Sequence, residues 1–388
     1  MGDLNNLVIF ISNNKNNTNN ANKSLDFFKS TIKKDADAVN KEIKEFFAQK
    51  KICIKPFLSD VLNVEELENI EDYISGGKRL RPAAMIEAYK AVGGKDLQAI
   101  TKATLCIEFL HNSALVHDDI IDRSMFRHSK PTMHVRHAKF YEKNSLAKHR
   151  GKELYGDSMA ILDGNLLIVW ALDTLNNSGF DNHLIQKSIN VWREAYELIV
   201  YGQMKDIRFE EMKKNIGNVE YVDMIELKSA MLFDAAIRIG AIFGGGSRQQ
   251  IDGFRKYAIP MACGFQIQDD IIGTFGKLAE TGKSNNDDIR FGKKTWFVNY
   301  AYEKLRDDEN IEKRKILDSC MGNKNASDDD CDKARQVLAE IGALECAKTE
   351  TKRFAETAKK NLNKIPGISK EAARFFSGYA DFVIMRMA

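Results

Sequence analysis

Asp118 and Asp122 stand four residues apart in the segment 109–128, which reads FLHNSALVHDDIIDRSMFRH. On a helix that spacing puts both carboxylates on one face, about one turn apart. Two like charges there disfavour an isolated helix by roughly 0.2–0.5 kcal/mol. A hard divalent cation such as Mg²⁺ offsets that cost, because it takes one or two carboxylates together with the oxygens of a bound phosphate. The aspartates follow an apolar stretch, which argues for the end of a buried helix over a solvated acidic patch partnered by Arg123 and Arg127.

A second pair, Asp269 and Asp270, closes another apolar stretch in Phe265-Gln266-Ile267-Gln268-Asp269-Asp270. It is trailed by Lys283, Asp287-Asp288 and Lys293-Lys294-Thr295. Paired carboxylates followed by lysines are a donor set for a metal-bound diphosphate. The segment Ser75-Gly76-Gly77-Lys78-Arg79-Leu80-Arg81-Pro82 puts three cations beside two glycines at a helix start. Glycine lets backbone approach a ligand closely, and a helix N-terminus favours anions. Lys and Arg then add a point charge and a fork of donors.

The elements that must carry these groups read as helices. Five prolines, at 56, 82, 131, 260 and 366, leave long stretches without a helix breaker. Segments 99–123, 157–175, 184–208, 219–243 and 255–275 are each long and periodic, and no sustained alternation marks a sheet. Pro82 opens a helix that Gly93-Gly94 closes, and Gly244-Gly245-Gly246 stops another. Segments 142–156 and 321–333 are charged and read as surface insertions. Residues 12–23 are Asn-rich and too polar to pack. The expected organisation is a disordered tail over 1–23 and one all-α domain of ten or more helices over 24–388.

Composition narrows the function classes. With 58 Lys+Arg against 55 Asp+Glu the net charge is +3, which excludes a globally basic nucleic-acid binder. Six cysteines without a CxxC pair read as reduced thiols, so a cytoplasmic location is expected, with organelle association still open. No apolar run reaches the ~18–20 residues that span a bilayer.

Taken in order, the Gly-Gly-Lys-Arg loop, Asp-Asp-x-x-Asp, Lys228-Ser229 and Phe-Gln-x-x-Asp-Asp resemble the trans-isoprenyl diphosphate synthases, specifically the farnesyl/geranylgeranyl diphosphate synthases, over roughly residues 70–300. The resemblance implies a single-domain helical bundle around a deep central cavity. It implies that isopentenyl diphosphate is joined to dimethylallyl, geranyl or farnesyl diphosphate, giving farnesyl or geranylgeranyl diphosphate. By the same resemblance Lys78, Arg81 and His111 hold isopentenyl diphosphate. Asp118, Asp122 and Asp269, with Asp270, are metal ligands for three Mg²⁺. Arg127, Lys228, Gln266, Lys283 and Lys293 surround the allylic diphosphate. Gln203 and Asp206 resemble a Gln-x-x-Asp pair on a cavity helix. The catalytic set is then Asp118, Asp122, Arg127, Lys228, Asp269 and Lys283, and a homodimer is implied.

Four positions depart from the family pattern. His128 stands where a second arginine normally helps hold isopentenyl diphosphate, Ser229 replaces a threonine, Asn165 stands where Gly-Asp is usual, and Gly273 replaces the third aspartate of the second motif. With Gly273 in place, Asp269 and Asp270 need help from Lys283, Asp287 or Asp288. Product length should follow from Ser113 and Ala114. Ala114 is one turn (about 6 Å) deeper than Asp118 on nearly the same face, and C15-stopping relatives often carry bulky aromatics here. Two small residues leave room for another isoprene unit, so a C20 product is expected, alone or beside C15.

Two rival readings remain. A class I terpene cyclase ionises the same substrates but needs no second diphosphate site, which Lys78, Arg81 and His111 supply. A regulatory subunit would lose motif residues, as Gly273 and His128 hint, yet Asp118, Asp122, Asp269 and Lys228 are intact. The Asp328–Asp332 run reads as a solvated loop. His134 and His137 are spaced for metal, but no third ligand is evident nearby, so surface or packing roles are expected.

Overall fold

The computed structural model describes the chain apart from residues 1–2, 55–61, 128–129, 145–148, 213–214, 277–284, 307–309 and 386–388; the side chains of 3–21, 54 and 62–64 are also outside the description. The expected tail falls largely on such residues. The sequence-implied His128 and Lys283 lie outside the described residues as well.

Helix α1 (Asp3–Ile54) buries Leu25, Phe28, Val39, Ile43 and Phe47, a three-and-four spacing that makes one apolar stripe. It lies along α3 (Leu80–Ala91) and the last helix, α17 (Lys370–Met385). Helix α2 (Leu62–Ile74) precedes the basic loop, and α4 (Leu97–Ala103) leads into α5 (Leu105–Ile121). The single helix expected over 99–123 is therefore broken at Thr104, whose hydroxyl donates to the Thr101 carbonyl at 2.6 Å and whose amide reaches both Ile100 and Thr101 carbonyls. Local side-chain bonding of this kind competes with a regular helical ladder.

A two-residue hairpin follows, β1 (Phe126–Arg127) against β2 (Lys130–Pro131), with Arg127 opposite Lys130. Then come α6 (Met133–Lys143), α7 (Lys152–Asn176) and α8 (Asn182–Glu211). Helix α7 is long and apolar enough by length and composition to cross a membrane, contrary to the expectation from apolar runs. It packs along α5 and α6, as a core helix does.

The stretch expected as one helix over 219–243 is α9 (Asn218–Ile225), a π turn (Glu226–Ala230) and α10 (Met231–Phe243). Helix α11 (Arg248–Phe275) opens on a capping box between Ser247 and Gln250 and runs through Pro260. The rest is α12 (Asp287–Arg290), α13 (Trp296–Lys304), α14 (Ile311–Cys320), α15 (Asp328–Glu340), α16 (Ala343–Leu362) and α17. The Asp328–Asp332 run is not a loop. Ser327 caps α15 by accepting from the Asp330 amide, and the acidic residues fill its first turn, where the helix dipole favours them.

Helix α10 sits against α3, α8 and α11 at the centre. Gly240 permits the α3 crossing, since a Cβ there would lie 2.1 Å from the Met85 carbonyl oxygen. Two buried apolar clusters, one around α11, α16 and α17 and one around α5, α7 and α8, meet through Ile251 and Ile259. All six cysteines are unpaired.

Candidate active site

Helix α5 ends in an intact turn, with the Asp122 amide donating to the Asp118 carbonyl at 2.8 Å. The i,i+4 aspartates therefore share a face, as their spacing predicts. Asp119, between them, points away and is fully buried. It accepts from Tyr73 Oη at 2.8 Å and from Arg127 Nε and Nη2 at 2.9 and 2.6 Å. That fork fixes Arg127 with Nη2 3.6 Å from Asp118. Asp119 and Tyr73 were not singled out from sequence. The available signal was that Asp119 falls off the Asp118/Asp122 face and so needs a cation of its own.

Facing α5, the π turn carries Lys228, whose Nζ lies 3.3 Å from Asp118 Oδ1 and 2.6 Å from Asp206 Oδ2 on α8. Gly202 of α8 makes this approach possible, because a Cβ there would stand 2.2 Å from the Lys228 backbone nitrogen. Ser229 Oγ donates to Gln266 Oε1 at 2.8 Å, and Gln266 Nε2 donates to Asp270 Oδ1 at 3.0 Å. Tyr221 Oη donates to the other Asp270 oxygen at 2.5 Å. A cleft lined by Asp206, Tyr221, Lys228, Gln266, Asp270 and Lys293 runs between these groups.

The charges are unevenly compensated. Burial opposes ionisation of Asp118, yet Lys228, Lys293 and Arg127 hold it below the usual carboxylate range. Burial and the Asp118 charge push Asp122 up, against Lys293 and Lys228. Burial also pushes Asp270 up to about 7, despite the Tyr221 and Gln266 donors. Lys293 is held well above its ordinary value, first by Asp288 and, against burial, by Asp122, Asp206 and Asp118 as well. Burial thus leaves Asp122 and Asp270 short of positive partners, and half-buried Asp269 precedes Asp270 on α11. Oxygen donors short of positive charge fit a hard dication.

A Cβ at Gly273 would lie 2.6 Å from Asp288 Oδ2, the end of a side chain able to move aside. Asp288 of α12 thus stands beside the position of the missing third aspartate, and its Oδ1 contacts Lys293 Nζ at 3.3 Å.

In the basic loop the three cations separate. Arg79 adopts φ 52° and turns inward, where it pairs with Glu108 and donates to Asn40 Oδ1 at 2.9 Å and to the Ile74 carbonyl at 2.6 Å. Arg81 takes other partners, with Nη1 3.1 Å from His111 Nε2 and its guanidinium 5.8 Å from the Phe233 ring. Its Nε is buried without a hydrogen-bond partner among the described residues, an orphaned donor that suits an anion. Exposed Lys78 lies 5.7 Å from the Phe382 ring. Phe382, Tyr379 and Phe233 form one aromatic row, at 6.5 and 5.2 Å between centroids. Lys78 and Arg81 therefore stand at two ends of the same row. Ser113 is buried and Ala114 half-buried, one turn before Asp118.

Residues 64–338 match the family model for polyprenyl synthetase. The chain is 32% identical to a geranylgeranyl diphosphate synthase of Saccharolobus solfataricus over 335 residues, covering 86% of this chain and 93% of that one. It is also 32% identical to a geranylfarnesyl diphosphate synthase of Aeropyrum pernix over 317 residues, covering 81% and 91%. Its fold matches the crystal structure of a geranylgeranyl pyrophosphate synthase from Corynebacterium glutamicum, complexed with isoprenyl diphosphate and magnesium, at TM-score 0.85 and 26% identity over 91% of this chain and 99% of that one. The helical fold is thus shared along nearly the whole length, and the chain belongs to the polyprenyl synthetase family.

Proposed function

We propose that the protein is a short-chain prenyltransferase that condenses isopentenyl diphosphate with allylic diphosphates to give farnesyl and geranylgeranyl diphosphate. One observation carries this reading: there are two separate places for a diphosphate. The aspartate cleft with Lys228, Lys293 and Arg127 suits the allylic substrate with its metals. The Arg81–His111 pair, with Lys78 along the aromatic row, suits the second diphosphate. A terpene cyclase has no use for the latter.

Asp118, Asp122 and Asp269, with Asp270 and Asp288 in support, would hold the three Mg²⁺ that the family resemblance implies, which would supply positive charge toward a departing pyrophosphate. The side chains divide the remaining work. Asp206 and Asp119 make the shorter contacts to Lys228 and Arg127 and hold them beside Asp118, so both cations meet the charge that develops as the allylic bond breaks. Gln266 and Tyr221 fix Asp270 from both sides. Arg81 and His111 orient isopentenyl diphosphate so that its double bond attacks the cation-like carbon. No side-chain nucleophile takes part.

The decisive assay is incubation of purified protein with isopentenyl and dimethylallyl diphosphates and Mg²⁺, with radiolabelled products resolved by length. Longer linear diphosphates are expected. Cyclic hydrocarbons alone from farnesyl diphosphate, or activity only after adding a second chain, would overturn the reading.

Chain length gives a sharper expectation. Ala114→Phe places a ring one turn below Asp118, where the tail must pass, and should shift the product from C20 to C15 or shorter with the condensation rate largely kept. An unchanged C20 product sinks the length argument.

Asp288 gives another. Asp288→Ala should raise the Mg²⁺ concentration for half-maximal activity about 10–100-fold, the usual cost of removing a supporting ligand. Gly273→Asp alone should fare badly, since its side chain meets Asp288. The two changes together should recover much of the loss, because the carboxylate is then restored from α11. Failure of the double variant to improve on Asp288→Ala would refute the substitution.

A homodimer fits the surface of α7, which leaves Leu154, Ile161, Leu162, Leu166, Val169 and Leu172 exposed along one side. A stripe of that kind is the usual mark of a protein interface. Unpaired cysteines are in keeping with a cytoplasmic enzyme.

A further inference from the structure

His137 acquires the partners that its neighbours in sequence do not offer. Its Nε2 lies 2.7 Å from Asp163 Oδ2 on α7 and 3.3 Å from Glu66 Oε1 on α2. The three donor atoms all lie within 4.8 Å of one another. His134, one turn earlier, is turned away and sits 3.2 Å from Thr132 Oγ1. No third ligand is evident near His137 in the sequence because its partners come from distant helices.

We propose that Glu66, His137 and Asp163 form a structural Zn²⁺ site that ties α2 to α6 and α7. Zn–N and Zn–O bonds of about 2.0–2.2 Å put the donors of a tetrahedral site roughly 3.3 Å apart. The observed separations of 2.7 and 3.3 Å reach that geometry with small side-chain rotations. A single imidazole N–H does not satisfy both carboxylates, and Glu66 Oε1 is a buried atom without a hydrogen-bond partner among the described residues. Charge points the same way. One neutral imidazole and two carboxylates balance one dication. Without it, the cluster balances its charge only with one proton on the imidazole and a second held between Asp163 and Glu66, where His137 and Asp163 are 2% and 1% exposed. The dication takes the place of both protons.

The platform is rigid where it must be. Gly156 of α7 comes so close to α6 that a Cβ would stand 2.3 Å from the His134 carbonyl oxygen, so His137 and Asp163 face each other across a fixed seam. Glu66 is the partly exposed member, at 19% for its side chain, and gives the ion a way in. With three protein ligands, the fourth position belongs to water. The site is distinct from the aspartate cleft, whose carboxylates lie on α5, α8, α11 and α12. On α7, Gly164 next to Asp163 packs against His117, the neighbour of Asp118.

The test uses the full chain, stripped with chelator and titrated with ZnCl₂ in saturating Mg²⁺, with bound metal counted by mass spectrometry after desalting. An Asp118→Asn/Asp122→Asn background removes zinc held at the aspartate motif. One zinc per chain should be retained, and unfolding should shift upward by several degrees with zinc. Glu66→Gln, at the partly exposed position, and His137→Gln should each weaken zinc binding at least ten-fold, and tetrahedral Co²⁺ absorption should vanish with them. Zinc retained equally by both variants, or no zinc retained by the parent, overturns the site.

Discussion

Asp118→Asn is expected to lower kcat about 10³-fold, or about 4 kcal/mol of barrier, with a much smaller change in KM. The carboxylate sits where three separate cations converge: Lys228 at 3.3 Å, Arg127 at 3.6 Å, and Lys293 through its longer-range charge. It stays ionised against burial because of them. In the proposed mechanism its removal takes away a metal ligand and leaves those cations unbalanced, where charge must be met as the allylic bond breaks. Losses of 10²–10³ are usual for one such electrostatic group, and loss of a ligand adds to that. The fold should survive. Arg127 keeps its fork on Asp119 and Lys228 keeps Asp206, while Asp122 is relieved of a like charge. Steady-state kinetics beside thermal unfolding separates the two effects. A loss below ten-fold, or a collapse in stability that accounts for the lost activity, would refute the assignment.

Gly202→Ala should act on both stability and chemistry. The added methyl would stand 2.2 Å from the Lys228 nitrogen, 2.6 Å from its Cα and 2.8 Å from the Leu227 carbonyl carbon. These are backbone atoms, so no rotamer change relieves the contact and the π turn must retreat from α8. Overpacking of this sort costs about 1–3 kcal/mol, occasionally more, and backbone-on-backbone contact places Gly202 at the upper end. Retreat draws Lys228 away from Asp206 and Asp118 together. Denaturant unfolding should show the loss, and kcat should fall towards that of Lys228→Ala. If stability falls while kcat stays at the parental value, close packing at Gly202 is unrelated to the placement of Lys228.

What was legible in the sequence was whatever lies within one turn or one loop. The Asp118/Asp122 face needed only the helical period, and the wide helical segments needed only sparse proline and regular apolar spacing. Partnerships that cross the bundle were hidden. Asp119 meets Tyr73, Lys228 meets Asp118, and Asp288 stands beside Gly273, in each case through helix packing that no local pattern encodes. The basic loop shows the boundary between the two regimes. Lys78, Arg79 and Arg81 look alike in sequence, but the left-handed backbone at Arg79 turns that one cation into the protein to meet Glu108. The Thr104 break and the helical Asp328–Asp332 run went the other way for local reasons, a hydroxyl bond in one case and a serine cap in the other.

The π turn at 226–230 also sets a reading frame for the helix that follows it. A wide turn carries one residue more than an α turn would, so every position of α10 is advanced by one residue relative to an unbroken helix. Were the same residues to close up as a regular α-helix, α10 would be rotated by about 100° about its axis. Gly240 would leave the Met85 carbonyl, and Ile239 or Ala241 would be driven toward a crossing with room for no side chain. In this segment the number of residues is as tightly specified as their identity.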